Sequence, residues 1–177
     1  SFARREGGVL VDAEITPAAA SEIHHNRREA PERSDSCTVT SMPARLGKTA
    51  VMPRMKPEDV ATFLDQPHVG VLASLRRNGL PYTVPVWFHW DGSAAWITGT
   101  YERVWCRQLM HDPRASLCVE ALTPAAGHVG MDGRVTFHEL PSFDIWPISE
   151  RLVDKYVRRP VGDDAADAFL ANMRTEH

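Results

Sequence analysis

Apolar positions recur along the chain in two periods, and the switches between those periods mark its elements. After Lys56-Pro57-Glu58-Asp59, the apolar residues Val60, Phe63 and Leu64 follow at helical spacing. Proline and two acids suit a first helical turn, where a missing N–H costs nothing and negative charge complements the helix dipole. A short amphipathic helix is predicted over 56–66. HVGVLASL (68–75) reads as a strand and Arg76-Arg77-Asn78-Gly79 as a hairpin turn, since Asn-Gly accepts positive φ. In PYTVPVWFHW (81–90) the period is two: Tyr82, Val84, Val86, Phe88 and Trp90 share one face, and Thr83, Pro85, Trp87 and His89 take the other. Asp91-Gly92 marks a second tight turn and AAWITGT (94–100) a third strand, so three consecutive strands are expected to form a meander. A helix over 102–111, stopped by Asp112-Pro113, precedes strands over 114–122 and 128–140, the latter bent or bulged at Asp132-Gly133. Helices over about 143–158 and 163–174 complete the order. Short antiparallel strands with few helices predict a mainly β fold, a small barrel with flanking helices.

Upstream of Met52 this patterning fades. Of the 14 aromatic residues, Phe2 alone precedes Phe63, and residues 1–51 carry 7 Lys+Arg and 7 Asp+Glu among Ala, Ser, Pro and Gly. A segment with so little apolar area offsets little of the entropy lost on ordering. Residues 1–51 are therefore expected to be a mostly disordered, low-complexity extension with a weak helix at 12–29, and 52–177 the folded domain. Met52-Pro-Arg-Met55 would make a natural start of translation. His24-His25 is read as a solvated pair, because adjacent residues on a helix do not share a face.

Charge removes some classes of function. With 20 Lys+Arg against 23 Asp+Glu the net charge is −3, which argues against a protein built to grip nucleic acid or an anionic membrane. No apolar run reaches the roughly 18–20 residues a membrane span needs, and no secretory leader pattern opens the chain. The expected location is the cytoplasm. Cys37, Cys106 and Cys118 are odd in number and lack metal-ligand spacing, and His89, His111, His128 and His138 show no H-x-x-x-H pattern, so no metal site is expected. Cys106 and Cys118 are read as buried structural thiols.

The ordered set MKPEDVATFL, HVGVLASLRRNGLPYTVPVWFHWDG, AAWITGT, QLMHDPRASLCVE and VGMDGRVTF, spanning residues 55–158, resembles the pyridoxamine 5′-phosphate oxidase-like split-barrel family in its flavin/deazaflavin oxidoreductase branch. That resemblance implies a six-stranded Greek-key split β-barrel with flanking helices, a homodimer, and a flavin-type cofactor held at the subunit interface. The cofactor would be FMN or the deazaflavin coenzyme F-420, with haem a less favoured choice. The implied activity is reduction of a small conjugated or quinone-like substrate. The alternative is a non-catalytic flavin or haem carrier of the same fold. Relatives continue past the last helix into a strand that closes the barrel, whereas this sequence stops at His177, so a missing closing strand is expected.

For a flavin-type ring, Thr83, Pro85 and Trp87 with Ile97, Thr98 and Gly99 are expected to form a flat wall, Gly99 admitting close approach of the ligand. The purely structural alternative assigns Trp87 to barrel core or dimer contact. Trp87, Trp96 and Trp105 suggest an aromatic lining for a planar substrate. At the phosphate end the sequence departs from the family: the usual Lys position holds Trp105 and the usual Asn position Gln108. Arg103, Arg107 and Gln108, with the Thr98 or Thr100 hydroxyl, are expected to supply the missing grip, guanidinium groups being suited to phosphate. The alternative for both arginines is a solvated helix face. No catalytic side chain is assigned.

Overall fold

The structure is a computed structural model and describes residues 10–17, 23–24, 55–122 and 126–176. Its strands are β1 (Leu10–Pro17), β2 (Ile23–His24), β3 (Gly70–Leu75), β4 (Pro81–Val86), β5 (His89–Trp90), β6 (Ala95–Thr100), β7 (Arg114–Ala121) and β8 (Gly127–Glu139). The helices are α1 (Pro57–Asp65), α2 (Val104–His111), α3 (Trp146–Val153), α4 (Arg159–Val161) and α5 (Asp163–Glu176), with a π-helical segment, Asp154–Arg158, joining α3 to α4. The strands form one antiparallel sheet in the order β4-β3-β7-β8-β1-β6-β5, and β2 pairs with β8.

The two ends of that order, β4 and β5, are separated in the chain by Trp87 and Phe88 alone. A sheet whose outermost strands are two residues apart must curve until its edges meet, which gives the barrel-like form. The expected meander is thereby corrected. β3 pairs with β4 and β5 with β6, but β4 and β6 are not neighbours, because the strand read as 81–90 breaks at Trp87–Phe88 and crosses the barrel. Phe88 is wholly buried at the crossing. Its backbone finds partners off the sheet: the Tyr156 hydroxyl accepts its N–H (3.2 Å), and Lys155 Nζ donates to its carbonyl (2.9 Å).

A second correction concerns the extension. Leu10–Pro17 is neither disordered nor helical. As β1 it lies between β6 and β8, Ala13 paired with Ile97 on one side and Phe137 on the other. Ala13 and Ile15 are fully buried in the core with Leu72, Ile97, Leu117 and Met131. β1 fills a central place in the sheet, a place no C-terminal strand takes among the described residues. Ile23–His24 is likewise a strand, while His25, Cys37, Met52 and the remainder of 1–51 lie outside the described residues.

Other elements follow their local chemistry. α1 carries Pro57, Glu58 and Asp59 in its first turn and buries Val60, Phe63 and Leu64 against the sheet. α2 ends at His111, where Asp112 turns extended ahead of Pro113, and buries Trp105, Cys106 and Leu109. Gly79 and Gly92 adopt positive φ in the two predicted turns. Gly133 is not a bulge, since β8 pairs through it in unbroken register with β7. Its missing side chain serves β1 instead: a Cβ there would strike the Thr16 backbone.

Candidate functional site

A cavity of about 620 Å³ opens between β4, β6 and the start of α2 on one side and α3 with α5 on the other. Crossing at Trp87–Phe88 brings this about: β4 and β6, separated within the sheet, face one another across the barrel mouth. Pro85 and Trp87 line the cavity from one side, and Ile97, Thr98, Gly99 and Thr100 from the other, with Arg103 at its rim. Three expected residues lie elsewhere. Thr83 points outward from β4, Arg107 is exposed on α2 beyond the cavity, and the Gln108 carboxamide accepts a hydrogen bond from Ser74 Oγ (2.6 Å) that ties α2 to β3.

The Trp87 indole, 38% exposed, stacks on the Tyr156 ring at 5.0 Å with 4° between planes, and Phe169 of α5 lies tilted beside it at 5.9 Å. Tyr156 is in turn fixed by donating its hydroxyl to the His68 carbonyl (2.7 Å). Burial pushes the Tyr156 phenol up to about 12, so it remains a neutral donor. Lys155 also donates to the Leu64 carbonyl (2.7 Å), and burial lowers its ammonium to about 8. α5 is held over the cavity by Arg158, whose guanidinium bridges Asp154 (2.6 Å), Asp163 (2.8 Å) and Asp167 (2.9 Å).

On the opposite wall, the space over Gly99 is filled by the ring of Trp105. A Cβ at Gly99 would overlap that ring, whose Cη2 would stand only 3.0 Å away. The close approach that Gly99 permits is therefore made by Trp105, itself only 5% exposed and part of the cavity lining. Trp96, expected to join the lining, does not line the cavity; it is stacked on Phe143 and donates Nε1–H to Asp91 (2.7 Å).

The polar side chains of the lining include Thr98, Thr100, Glu102, Arg103 and Ser149. The Thr98 hydroxyl donates to Asp12 Oδ1 of β1 (2.6 Å), and the carboxyl of Asp12, fully buried with Oδ2 unpartnered, is raised by that burial to about 6. Among the described residues the Thr100 hydroxyl and the Arg103 and Arg107 guanidinium groups have no hydrogen-bond or ion-pair partner. Ser149 of α3, with Leu152 and Val153 one turn on, also lines the cavity. Its hydroxyl is buried and without a partner. The sequence carried one signal for it: Ile145, Ser149, Leu152, Val153 and Tyr156 form one helical stripe in which serine is the interruption. Phe169 and Met173 gave no comparable signal, because their place depends on how α5 folds back.

Cys106 is buried and its thiol is pushed up to about 12, which leaves it inert. Cys118 is exposed on β7, contrary to the expectation that both thiols are buried. His138 pairs with Glu14 (3.0 Å) on the outer face of the sheet. Among the described residues no cluster of His, Cys, Asp or Glu is arranged to hold a metal, and no helix is long and apolar enough to cross a membrane.

Residues 57–176 match the family model described as pyridoxamine 5′-phosphate oxidase. Among solved structures, the conserved hypothetical protein Rv2991 from Mycobacterium tuberculosis is similar in fold, with a TM-score of 0.57 and 19% identity over 73% of this chain and 81% of its own. A protein titled F-420 reductase is matched with a TM-score of 0.35 and 18% identity over 44% of this chain and 94% of its own. The search of curated proteins found no match.

Proposed function

The chain belongs to the pyridoxamine 5′-phosphate oxidase family, and from that premise we propose that its cavity binds FMN or coenzyme F-420 and that the protein is an oxidoreductase acting on a small conjugated or quinone-like substrate. The observation that carries this reading is the cavity itself: aromatic and aliphatic walls, the Thr98, Thr100 and Ser149 hydroxyls, and a guanidinium, Arg103, without an ion-pair partner beside the Glu102 carboxylate. Its volume of about 620 Å³ lies within the roughly 300–1,000 Å³ usual for cofactor and ligand sites. A flavin-type ring, when bound, supplies the redox chemistry. The protein's part is to hold that ring between Trp87 and Pro85 on one side and Ile97 on the other, to exclude water, and to anchor an anionic tail through Arg103 and the Thr100 hydroxyl. Trp105 brings no positive charge to the position where relatives carry lysine, so the anionic grip falls to Arg103.

In this reading the six long strands, β1, β3, β4, β6, β7 and β8, are those of a Greek-key split barrel. The protein is also read as a cytoplasmic homodimer. The outward face of β3 and β7, where Val71 and Cys118 are exposed side by side, supports a second copy docking there. A carrier without catalysis is the second reading, and Trp105 in place of lysine favours it.

Titration of the purified protein with FMN and with coenzyme F-420, followed by fluorescence polarisation, tests the proposal. Saturable binding of either is expected, and turnover of its reduced form with a quinone acceptor separates enzyme from carrier. Absence of binding by both would overturn the cofactor reading.

A further inference from the structure

Within the cavity, the polar group least accounted for is Ser149. It is 1% exposed on α3, it faces the cavity, and its hydroxyl has no partner. A buried helical serine ordinarily turns its hydroxyl back to the carbonyl four residues earlier. Here the Ile145 carbonyl accepts only the Ser149 N–H, at 3.2 Å. Buried hydroxyls left unsatisfied are expensive, so native proteins give nearly all of them a protein, water or ligand partner. The remaining buried positions of the stripe, Ile145, Leu152, Val153 and Tyr156, are apolar or aromatic. Arg103, exposed and without a hydrogen-bond or ion-pair partner among the described residues, also lines the cavity. The lining thus combines a buried neutral donor and acceptor on α3, the rings of Trp87 and Trp105, and an exposed guanidinium, Arg103, beside the Glu102 carboxylate.

We infer that Ser149 is the hydrogen-bond partner of the polar edge of a planar heteroaromatic ligand, whose anionic tail leaves the cavity at Arg103. This rests on the cofactor reading above and adds to it an orientation and a specificity-determining residue: the carbonyl- and N–H-bearing edge of the ring faces α3. A ligand of the same shape without that edge would leave the hydroxyl unpaired and be discriminated against.

The test compares wild type, Ser149→Ala and Ser149→Thr, each titrated with FMN and with coenzyme F-420, and records the visible absorption band of the bound chromophore. Loss of the hydroxyl is expected to weaken binding by about 5- to 30-fold and to shift the band, with Ser149→Thr recovering both. The melting temperature without ligand should not fall in Ser149→Ala, because no protein bond is removed. Two results overturn the assignment while leaving the cofactor reading intact: unchanged affinity and band in Ser149→Ala, or a fall in its ligand-free melting temperature that shows a structural role instead. Failure of the wild type to bind either probe removes the cofactor reading, and the Ser149 assignment with it.

Discussion

At the scale of single residues, the molecule sets one titrating carboxyl where charge is unwelcome. Asp12 is fully buried on β1; Thr98 of β6 donates to its Oδ1, while His138 of β8 faces it and Glu14 lies two residues along the same strand. Its pKa is raised from 3.8 to about 6, so the folded state takes up a proton at a higher pH than the unfolded chain does. The stability this confers is fully present below pH 3.8 and lost as pH rises through about 6. A shift of that size is worth on the order of 3 kcal/mol. Asp91 and Asp112, both held at about 2, change stability in the opposite sense and only at lower pH, as they lose their partners. Asp12→Asn keeps the bond from Thr98 and removes the charge, so we expect it to raise the melting temperature at pH 7.5 and not at pH 4; equal shifts at both pH values would refute the burial argument. Gly99 carries a different constraint, since Trp105 occupies the space its missing side chain leaves. Gly99→Ala is expected to cost about 1–3 kcal/mol in urea unfolding through overpacking. Combination with Trp105→Phe, which shortens the ring, should recover part of that loss; an additive double variant would show that the two do not compete for the same space. That Gly99 matters was legible in the sequence. Its occupant was not, because the indole arrives from α2, and only the packed structure shows which way it turns.

At the scale of elements, the feature that makes the cavity is the break between β4 and β5, and what stabilises it lies far along the chain. Phe88 offers an N–H and a carbonyl to no strand, and an unsatisfied buried pair of that kind would cost several kcal/mol. The π-helical segment resolves this by projecting Lys155 and Tyr156 from consecutive positions onto Phe88. π-helical turns are often found where a local geometry of this kind is needed. Tyr156→Phe preserves the stacking surface under Trp87 but leaves the Phe88 N–H buried without a partner. We expect a loss of about 1–3 kcal/mol in urea unfolding. Unchanged stability would mean that the Phe88 N–H finds another acceptor. This explains the pattern of success in reading the sequence. α1, α2, β3, β4, β6, β7, β8 and α5 were legible because each rests on periodicity and end signals within its own few residues: Pro57 with two acids, Asn78-Gly79, Asp112-Pro113. The alternation in 81–90 was real, with Val86 and Phe88 both buried, yet it could not reveal the break, which depends on side chains 67 and 68 residues later.

At the scale of the whole molecule, β1 decides whether the sheet can close. Val11, Ala13 and Ile15 alternate with Asp12 and Glu14, a period of two over a mere five residues between Val9-Leu10 and Thr16-Pro17. Local propensity gives so short a run no reason to be extended, which is why the sequence read as a disordered tail. Pairing supplies the reason, from residues 80 or more positions away: β6 on one side, over Leu10 to Ile15, and β8 on the other, over Val11 to Pro17. Without β1, two long strands would present unpaired edges, an invitation to association with other chains, and the core would lose Ala13 and Ile15. Burial of Ile15 alone is worth about 1.5–3 kcal/mol, and two ladders of backbone bonds add to it, against a total stability of roughly 5–15 kcal/mol for a domain. Removal of residues 1–17 is therefore expected to abolish cooperative unfolding or drive the protein into aggregates, and hydrogen exchange in the intact chain should protect the amides of 12–16 as strongly as those of β6. A shortened protein with the melting temperature of the intact chain, or amides at 12–16 that exchange as fast as free peptide, would return this segment to the status of a tail and leave the place between β6 and β8 to be filled by some other strand.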